Sequence, residues 1–558
     1  MSANATTAPV LGHFRLPKIT NEPMMAYAPG SKERLAVQRV LRDMTRELDQ
    51  NGPFQVPLII NGERVTTARK TKQRMPFDHA RVLCEYSVAE ASHVVQAVEG
   101  AMQARATWEA MPFNDRAAIF LKAADLLAHK YRYKMMAATM LGQAKNVWQA
   151  EIDCAAELCD FWRFNCQYAA DIYAQQPTEN SPTTWNRTEY RGLEGFVLAY
   201  SPFNFTAIGG NLASAPALMG NVVLWKPSDA AVYSNLLIME ILHEAGLPKG
   251  VIQFLPGDAA SMAEQAMGHR DFAGLHFTGS TQIFQQLWQK AAANLDVYRG
   301  FPRIVGETGG KNMHFVHESA SMRHAAVQTV RAAFEYNGQK CSACSRVYVP
   351  DTRYNEFRDM LLQETARLHM GPPENSETFV TAVINEQAFN RIDGYLADIK
   401  SGKNASTTIL AGGQTDASKG YFIEPTVLET TDPKSPTMVN ELFGPVVTLY
   451  KYPAAQYEET LQLADATSNY ALTAAVFADD RAAVIQASNA LRHAAGNFYI
   501  NDKCTGAVVG QQPFGGGRHS GTNDKAGAAL NLLRWVSARS IKENFVPVTD
   551  VKYPSNLA

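Results

Sequence analysis

Apolar positions along the chain follow first a helical and then a mixed pattern. Between about residues 87 and 170 they recur every three to four positions, in Ala-rich stretches such as 117–130 and 151–165, and this period predicts amphipathic helices. Residues 183–200 have the pattern of a hairpin that leads into a buried strand. The first 60 residues are mixed in character, and we predict that they form an extension that wraps the surface.

Short apolar runs then alternate with helical segments. The predicted strands lie at 221–225, 250–255 and 274–277, and the predicted helices at 231–245, 259–267 and 282–293. This alternation is typical of a parallel sheet with crossover helices, at the spacing of a mononucleotide-binding unit. A second alternating region spans about 311–501, with strands at 345–349 and 472–476 and a helix at 353–368, before a helix and an extended tail from residue 526. We therefore predict two α/β domains and an arm.

Composition narrows the class of protein. The 558 residues are 46% hydrophobic and 19% charged, which fits a globular chain and excludes a disordered one. The net charge is −2. The chain therefore lacks the excess of basic residues that is typical of proteins that bind nucleic acid or anionic membranes. Residues 195–225 contain no charged side chain, but prolines, glycines and asparagines interrupt them. We predict buried strands around a polar loop there, and no membrane span.

The cysteines and the N-terminus bear on the compartment. Seven cysteines in a chain of this length are too few, and odd in number, for a secreted disulfide framework, so a reducing compartment is expected. Cys154, Cys159 and Cys166 share one predicted helix and are interpreted as small core residues. The first 21 residues contain Arg15 and Lys18 and no acidic residue, which faintly resembles a transit peptide. We expect a cytoplasmic protein if the source is bacterial and a mitochondrial matrix protein if it is eukaryotic.

Cys341, in the segment GQKCSACSR, is a candidate nucleophile because Lys340 precedes it in a glycine-containing segment. Three other interpretations stay open at this point. A buried, inert thiol is the commoner fate of a single cysteine. Cys341 and Cys344 could form a redox pair, although no thioredoxin-like pattern surrounds them. A zinc site would need two further ligands at suitable spacing, and none stands out.

Polar residues in other segments are candidates for the rest of a site. Glu307, in GETGGKN, is either a solvated acid or, beside a nucleophilic cysteine, a general base. Asn204, in the uncharged loop, is either a loop brace or a donor to an oxyanion. Lys226 directly follows a predicted strand, where ligands of parallel sheets usually lie. Gly279 and Ser280 occupy a strand-to-helix turn whose N–H groups are free to bind a phosphate.

Seven segments occur in a fixed order along the chain: SPFNFTAIGG, WKPSD, FTGST, GETGGKN, GQKCSACSR, ELFGPVV and QQPFGGGRHSGTND. In this order they resemble the aldehyde dehydrogenase superfamily, and the resemblance spans about residues 20–545. FNFTAIGGN, GQKCSACSR, AAGNFYINDK and TGAVVGQQPFGG closely resemble the branch that oxidises glutamate γ-semialdehyde to glutamate. The resemblance implies an α/β fold with a Rossmann-type NAD-binding domain, an α/β catalytic domain and a β oligomerisation arm.

The resemblance also implies three catalytic residues. Cys341 would attack the aldehyde as a thiolate, and the side chain of Asn204 would hold the oxyanion together with the N–H of Cys341. Hydride transfer to NAD would leave a thioester, which Glu307 would hydrolyse by activating a water molecule. The presence of Glu307 favours hydrolysis over acyl transfer to coenzyme A.

Further residues match cofactor positions of the family. Asp229 would lie near the ribose 2′-hydroxyl, where an acid favours NAD over NADP, and Glu441 would grip the nicotinamide ribose. Phe284 stands where many members of the superfamily have glycine. The implied cofactor set is Ser201, Lys226, Asp229, Gly279, Ser280, Thr281, Gln282, Ile283, Glu441 and Phe443.

The implied substrate set surrounds the aldehyde and its distant carboxylate. N–H groups of Gly506 and Ala507 and the hydroxyl of Ser342 would bind the carboxylate. The family often has serine at position 507, and the loss of one neutral hydrogen bond costs about 0.5–1.5 kcal/mol. The remaining members are Phe205 and Phe514, which would sandwich the aliphatic stem, and Glu157, which would reach the amine unless it is an ordinary helix-surface acid.

From these matches we divide the chain into an N-terminal extension (1–60), an NAD-binding domain (61–312, of which 183–200 contributes to the arm), a catalytic domain (313–505), a return segment with the substrate loop (506–536) and a C-terminal arm (537–558). We expect a homodimer, with no metal and no nucleic-acid or membrane partner. Because the chain starts at Met1 with no second catalytic domain upstream, we expect a monofunctional enzyme. A broader aldehyde dehydrogenase and a catalytically silent protein on the same fold remain alternatives.

Overall fold

Two seven-stranded sheets organise the protein, in a computed structural model that describes residue 12 and residues 14–557. Residues 1–11 and 13, which include much of the segment that resembles a transit peptide, lie outside the described residues. No helix in the described part of the chain is long and apolar enough to cross a membrane.

The first sheet contains the predicted mononucleotide-binding unit. Its strand order is Arg303–Glu307, Phe272–Thr278, Phe196–Tyr200, Val222–Lys226, Ile252–Phe254, Leu58–Ile60 and Glu63–Val65. The first five strands are parallel and the last two are antiparallel to their neighbours. Chain order reverses between Phe196–Tyr200 and Phe272–Thr278, and this reversal marks the usual ligand crevice of such sheets.

Helices pack around this sheet close to where the sequence predicts them. They are Ala91–Ala110, Phe113–Leu126, Arg132–Gln143, Leu158–Tyr173, Thr206–Leu218, Val232–Ala245, Ala259–Met267 and Thr281–Ala293. Cys154, Cys159 and Cys166 are fully buried among them, which confirms their interpretation as core residues.

The second sheet forms the other half of the molecule. Its strand order is Thr407–Ala411, Thr426–Thr430, Val446–Tyr452, Cys344–Pro350, Asn312–Val316, Thr473–Phe477 and Asn497–Ile500. All neighbours are parallel except the edge strand Thr407–Ala411. Its helices are Met322–Phe334, Tyr354–Thr365, Glu386–Lys400, Tyr457–Ala466 and Arg481–Ala490. The predicted α/β alternation is therefore confirmed in both halves.

The predicted hairpin at residues 183–200 is wrong. Its first strand, Thr184–Arg191, pairs along its full length with the antiparallel strand Ser537–Asn544. The buried strand predicted to follow is confirmed, since Phe196–Tyr200 is fully buried and lies in the first sheet between two parallel neighbours. Both edges of that strand are thus occupied, which leaves Thr184–Arg191 to pair elsewhere. The two paired strands form a two-stranded ribbon, which we call the arm.

The N-terminal segment is more than a surface extension. The helix Lys32–Asn51 begins at Ser31, whose hydroxyl accepts a hydrogen bond from the N–H of Arg34, and it buries an apolar face. The strand Leu58–Ile60 is fully buried in the first sheet. That sheet therefore begins before residue 61, inside the stretch that the sequence assigned to the extension.

Candidate active site

Cys341 lies in a buried loop that leads into the strand Cys344–Pro350. Before it, Asn337 and Gly338 adopt left-handed backbone conformations with φ of 58° and 66°. A side chain at Gly338 would collide with the backbone of Gly444, so glycine is required there. Two hydrogen bonds from the Asn312 side-chain amide hold the loop in place, one to the carbonyl oxygen of Cys341 (2.6 Å) and one to that of Ala343 (2.9 Å).

One cavity collects the predicted catalytic and substrate residues. It lies between the two sheets, where Glu307 ends the edge strand of the first sheet and Cys341 precedes a central strand of the second. The predicted residues that line it are Cys341, Glu307, Ser342, Phe205, Phe514, Glu157, Gly506 and Ala507. Residues more than 300 positions apart along the chain therefore meet at one place, as their proposed roles require.

Asn204 lies beside the loop that contains Cys341. Its side chain is buried, and its Nδ2 donates to the carbonyl oxygen of Gln339 at 3.1 Å. A side-chain amide has two N–H donors, so this contact leaves one N–H for another acceptor. Asn204 is not among the residues that line the cavity surface, and its role as an oxyanion donor stays a prediction.

A buried ion pair fixes the segment that contains Asn204. Lys145 and Asp153 are fully buried, and the Lys145 Nζ atom lies 2.9 Å from the Asp153 Oδ2 atom. The Asp153 carboxylate also accepts from the N–H groups of Thr206 and Ala207, the first residues of the helix Thr206–Leu218. An acid at a helix N-terminus satisfies donors that have no partner within the helix.

The same lysine contacts a wall of the cavity. The Lys145 ammonium lies 3.9 Å from the centroid of the Phe205 ring and 4.6 Å from that of Tyr336. Cations are attracted to aromatic faces at such distances. The Phe205 ring, which was predicted to sandwich the substrate stem, is thereby fixed in orientation.

Two acids of the cavity have raised pKa values. Removal from bulk water raises the pKa of Glu307 to about 8, although Lys525 acts in the opposite direction. Burial and the negative charge of Asp153 raise the pKa of Glu157 to about 8 as well. The Oε2 atom of Glu157 is enclosed and has no hydrogen-bond partner in the described part of the chain. Glu157 is thus not a helix-surface acid; its carboxyl group faces an enclosed space.

The expected activation of Cys341 by Lys340 is wrong. The Lys340 ammonium donates to Glu335 at 3.0 Å and is not among the groups that shift the pKa of Cys341. Burial and the nearby Glu307 raise the pKa of Cys341 well above its usual value. A group with such a raised pKa is a neutral thiol at neutral pH, and it would need a proton acceptor to act as a nucleophile.

Sequence reasoning missed a charged trio beside the substrate loop. Glu335 accepts from Lys340 at 3.0 Å and from Lys503 at 2.9 Å, and all three residues line the cavity. Although burial opposes it, the two lysines lower the pKa of Glu335 to about 2. Glu335 is therefore a carboxylate that binds two lysine side chains. Lys503 lies three residues before Gly506. A lysine so close to the predicted carboxylate-binding loop could have been identified from the sequence as a candidate for the same site.

The predicted cofactor residues lie along the carboxyl edge of the first sheet. Ser201 and Lys226 follow or end neighbouring parallel strands, and Lys226 donates to Asp229 at 2.9 Å. Ser280 begins the helix Thr281–Ala293 by accepting from the N–H of Ile283. The N–H groups of Thr281 and Gln282, in the first turn, have no partner within the helix. A helix N-terminus of this kind fits a pyrophosphate.

Glu441 and Phe443 reach this edge from the second half of the molecule. The Glu441 carboxylate accepts from the N–H of Gly310 at 2.7 Å, and burial raises its pKa to about 7. Phe443 has a positive φ of 54° and packs edge-to-face on Phe203, with ring centroids 5.9 Å apart. An acid beside the nucleophile loop and a hydroxylated sugar form a chemically suitable pair, so the residues fit the ribose of a dinucleotide.

Phe284 also has a defined place. Its ring stacks on Phe277, with centroids 5.4 Å apart, and contacts Trp288 edge-to-face. A Cβ at Gly306 would overlap the Phe284 ring. The Phe284 ring, from the first turn of the helix Thr281–Ala293, therefore fits because residue 306 in the strand Arg303–Glu307 is glycine.

A family model described as "Aldehyde dehydrogenase family" matches residues 65–541. This chain belongs to the aldehyde dehydrogenase family. The resemblance seen in the seven sequence segments is thereby confirmed, and so is the aldehyde dehydrogenase-like α/β fold.

Relatives within the family point to one branch. The chain is 57% identical over 548 residues to the delta-1-pyrroline-5-carboxylate dehydrogenase of Agaricus bisporus, covering 98% of this chain and 99% of that one. It is 50% identical to the mitochondrial delta-1-pyrroline-5-carboxylate dehydrogenase of Homo sapiens, with 96% and 94% covered. The crystal structure of the corresponding Mycobacterium tuberculosis enzyme bound with NAD superposes with a TM-score of 0.93, at 46% identity over 98% of this chain and 100% of that one.

Proposed function

We propose that this aldehyde dehydrogenase oxidises L-glutamate γ-semialdehyde, the open form of 1-pyrroline-5-carboxylate, to L-glutamate with NAD as oxidant. This is the second step of proline catabolism. The observation that carries the proposal is the single cavity in which Cys341 and Glu307 meet the Gly506 loop and its charged trio. The names of the relatives favour the same substrate.

Cys341 is the proposed nucleophile. Its raised pKa makes it a thiol in the free cavity, so attack on the aldehyde carbon requires that its proton leave. Glu307 lies close enough for its charge to act on that thiol and, in its ionised fraction, accepts the proton. The sulfur then bonds to the carbonyl carbon. The thiohemiacetal oxygen accepts hydrogen bonds from the Asn204 side-chain amide and from the Cys341 N–H.

NAD would supply the hydride acceptor for the oxidation of the thiohemiacetal to a thioester on Cys341. Ser201, Lys226 and Asp229 are proposed to hold its adenosine half. The strand-to-helix turn that begins at Gly279 is proposed to hold the pyrophosphate, and Glu441 with Phe443 the nicotinamide ribose. The acid at position 229 favours NAD over NADP because it would repel a 2′-phosphate.

Glu307 completes the cycle as general base. A carboxyl group with a pKa of about 8 is poised near the working pH, where general bases are most effective. After the proton taken from Cys341 has passed to solvent, the Glu307 carboxylate takes a proton from water as the water oxygen attacks the thioester. The Cys341 sulfur leaves as a thiolate and recovers a proton from Glu307, which restores both groups. Glutamate is then released without a second acyl acceptor.

Substrate selection is proposed to depend on charge at the far end of the cavity. The substrate carboxylate would meet the N–H groups of Gly506 and Ala507, the Ser342 hydroxyl and the lysines of the trio around Glu335. Phe205 and Phe514 would enclose the aliphatic stem, and Glu157 would ionise when it pairs with the substrate ammonium group.

We further propose a homodimer formed through the arm. The arm and the tail that follows it expose apolar side chains, among them Trp185, Phe545, Val548 and Val551. Exposed apolar surface marks an interaction site when it is contiguous, and we propose that a second copy of the chain covers these side chains. Sedimentation velocity of the full chain tests this proposal, since a monomer would contradict it. We propose the mitochondrial matrix as the compartment of a eukaryotic source and the cytoplasm as that of a bacterial one.

The reaction itself is tested by product analysis. Incubation with 1-pyrroline-5-carboxylate and NAD, without coenzyme A, is expected to yield glutamate and NADH in equal amounts. Substitution Cys341→Ala is expected to abolish both products. NADH without glutamate, or glutamate in the variant, would contradict the proposed mechanism.

A further inference from the structure

Three potential metal ligands meet in the core of the second sheet. The His314 ring nitrogens and the sulfur atoms of Cys344 and Cys504 supply ligand atoms that all lie within 4.8 Å of one another. All three side chains are buried, with exposures of 0%, 1% and 0%. His314 and Cys344 lie on neighbouring strands, and Cys504 lies in the loop after Asn497–Ile500. Long-range folding therefore supplies the ligands that sequence spacing did not reveal for Cys344.

The hydrogen bonds of His314 define its tautomer. The Thr329 hydroxyl donates to the carbonyl oxygen of Ala325 at 2.7 Å. Its oxygen therefore accepts from the Nδ1–H of His314 at 2.9 Å. The lone pair is left on Nε2, which accepts from the Cys504 N–H at 3.2 Å. Histidine ligands of metals are typically oriented in this way, by a hydrogen bond from the other ring nitrogen.

The two thiols have only weak hydrogen-bond partners. Cys504 Sγ lies 3.4 Å from the carbonyl oxygen of Ser342, and Cys344 Sγ lies 3.6 Å from that of Arg346. Because a thiol is a weak donor and a weak acceptor, contacts of this kind leave both sulfur atoms available to a metal ion.

We propose that His314, Cys344 and Cys504 form a binding site for a thiophilic divalent cation of the Zn²⁺ and Cd²⁺ class. One imidazole nitrogen and two thiolates are a ligand set that such ions favour. A divalent ion with two thiolates is neutral overall, which suits a buried position. The ion displaces the protons still held by the thiols, and these pass to solvent.

Occupation of the site is coupled to the substrate loop. The Nε2 lone pair of His314 cannot accept from the Cys504 N–H and bind a cation at the same time. A bound ion therefore displaces the Cys504 backbone, and Thr505 and Gly506 follow it. Because Thr505 contacts Ser342, the site is expected to be inhibitory and to weaken binding of the substrate carboxylate. This consequence, but not the binding itself, rests on the proposed function.

Metal binding is tested with Co²⁺ as a spectroscopic probe. The full chain with Cys341→Ala is used, so that the nucleophile cannot contribute a thiolate. We expect a thiolate-to-cobalt charge-transfer band that saturates at a single Co²⁺ per chain. The added substitution Cys504→Ser should weaken Co²⁺ binding tenfold or more, whereas Cys166→Ser, a buried cysteine outside the cluster, should leave it unchanged. His314→Gln provides a second loss variant if Cys504→Ser does not fold.

The absence of a band, or a band that survives both Cys504→Ser and His314→Gln, would overturn the proposal. Inhibition is tested separately, in protein that keeps Cys341. Cd²⁺ is expected to raise the KM for 1-pyrroline-5-carboxylate without raising that for NAD, and Cys504→Ser should remove this effect. Inhibition that persists unchanged in Cys504→Ser would show that Cd²⁺ acts at Cys341 and would overturn the coupling. Since the Co²⁺ band needs no turnover, failure of the proposed function would not be mistaken for failure of the site.

Discussion

The hydroxyl oxygens of Ser342 and Thr505 lie 2.7 Å apart in the buried wall of the cavity. The contact joins the residue after the nucleophile to the residue before Gly506, although 163 positions separate them along the chain. We expect it to fix the distance between the Cys341 sulfur and the proposed carboxylate loop, and hence the length of aldehyde that fits between them.

Removal of this contact should weaken substrate binding selectively. Thr505→Val deletes the hydroxyl with little change in volume, and a neutral hydrogen bond contributes about 0.5–1.5 kcal/mol, so the KM for 1-pyrroline-5-carboxylate should rise about two- to tenfold. Steady-state kinetics with propionaldehyde, which has no carboxylate, should be unchanged, and Thr505→Ser should behave as wild type. An equal loss with both aldehydes would assign Thr505 a purely structural role.

The pH dependence of turnover should report Glu307. If Glu307 is the base, as proposed, activity should rise as the pH increases through its pKa of about 8, because only the carboxylate accepts a proton. Glu307→Gln should lower kcat by about 10²–10⁴ and remove the rising limb. Glu157 also has a pKa of about 8, so a limb that persists in Glu307→Gln and disappears in Glu157→Gln would reassign the base.

The charge of the trio should affect only carboxylated substrates. Lys503→Met leaves Glu335 and Lys340 as a neutral pair, and we expect the KM for 1-pyrroline-5-carboxylate to rise about tenfold, which corresponds to about 1.4 kcal/mol. Lys419→Met removes an exposed lysine elsewhere and serves as the matched control. Kinetics at two salt concentrations provide a second readout, since the variant should show a weaker salt dependence. A rise in KM for propionaldehyde as well would contradict an electrostatic role.

The buried pair of Lys145 and Asp153 should be important for stability. Asp153→Ala leaves an unpaired ammonium in the core and removes the acceptor for the first N–H groups of the helix Thr206–Leu218, so we expect a loss of about 3–5 kcal/mol. Urea denaturation followed by circular dichroism measures it. Glu244→Ala, which breaks the exposed pair with Lys130, should have a much smaller effect. Equal losses in the two variants would refute the importance of burial.

The local elements of the fold could be predicted from the sequence because they depend on nearby residues. The helix Ala259–Met267 and the parallel strand Val222–Lys226 lie within a residue of their predicted positions. The resemblance assigned residues 183–200 and 537–558 to the arm, but the pairing of Thr184–Arg191 with Ser537–Asn544 was not predicted, since local periodicity does not specify which distant strand fills a free edge.

In the candidate site too, residues could be predicted from local segments, whereas contacts between distant segments could not. Cys341, Glu307 and Gly506 stand in recognisable segments, and the structure brings them to one cavity. The direction of Lys340 could not be predicted, because adjacency in sequence does not determine where a loop side chain points. The contacts of Glu335 with Lys503, and of His314 with Cys504, connect segments that only the folded sheet brings together.

The proposed activity is tested most directly by the initial rate of NADH formation from three aldehydes, 1-pyrroline-5-carboxylate, succinate semialdehyde and propionaldehyde, with wild type and Cys341→Ala. We expect a strong preference for 1-pyrroline-5-carboxylate and complete loss of activity in the variant. Equal rates with all three aldehydes, or activity that survives in Cys341→Ala, would contradict the proposal.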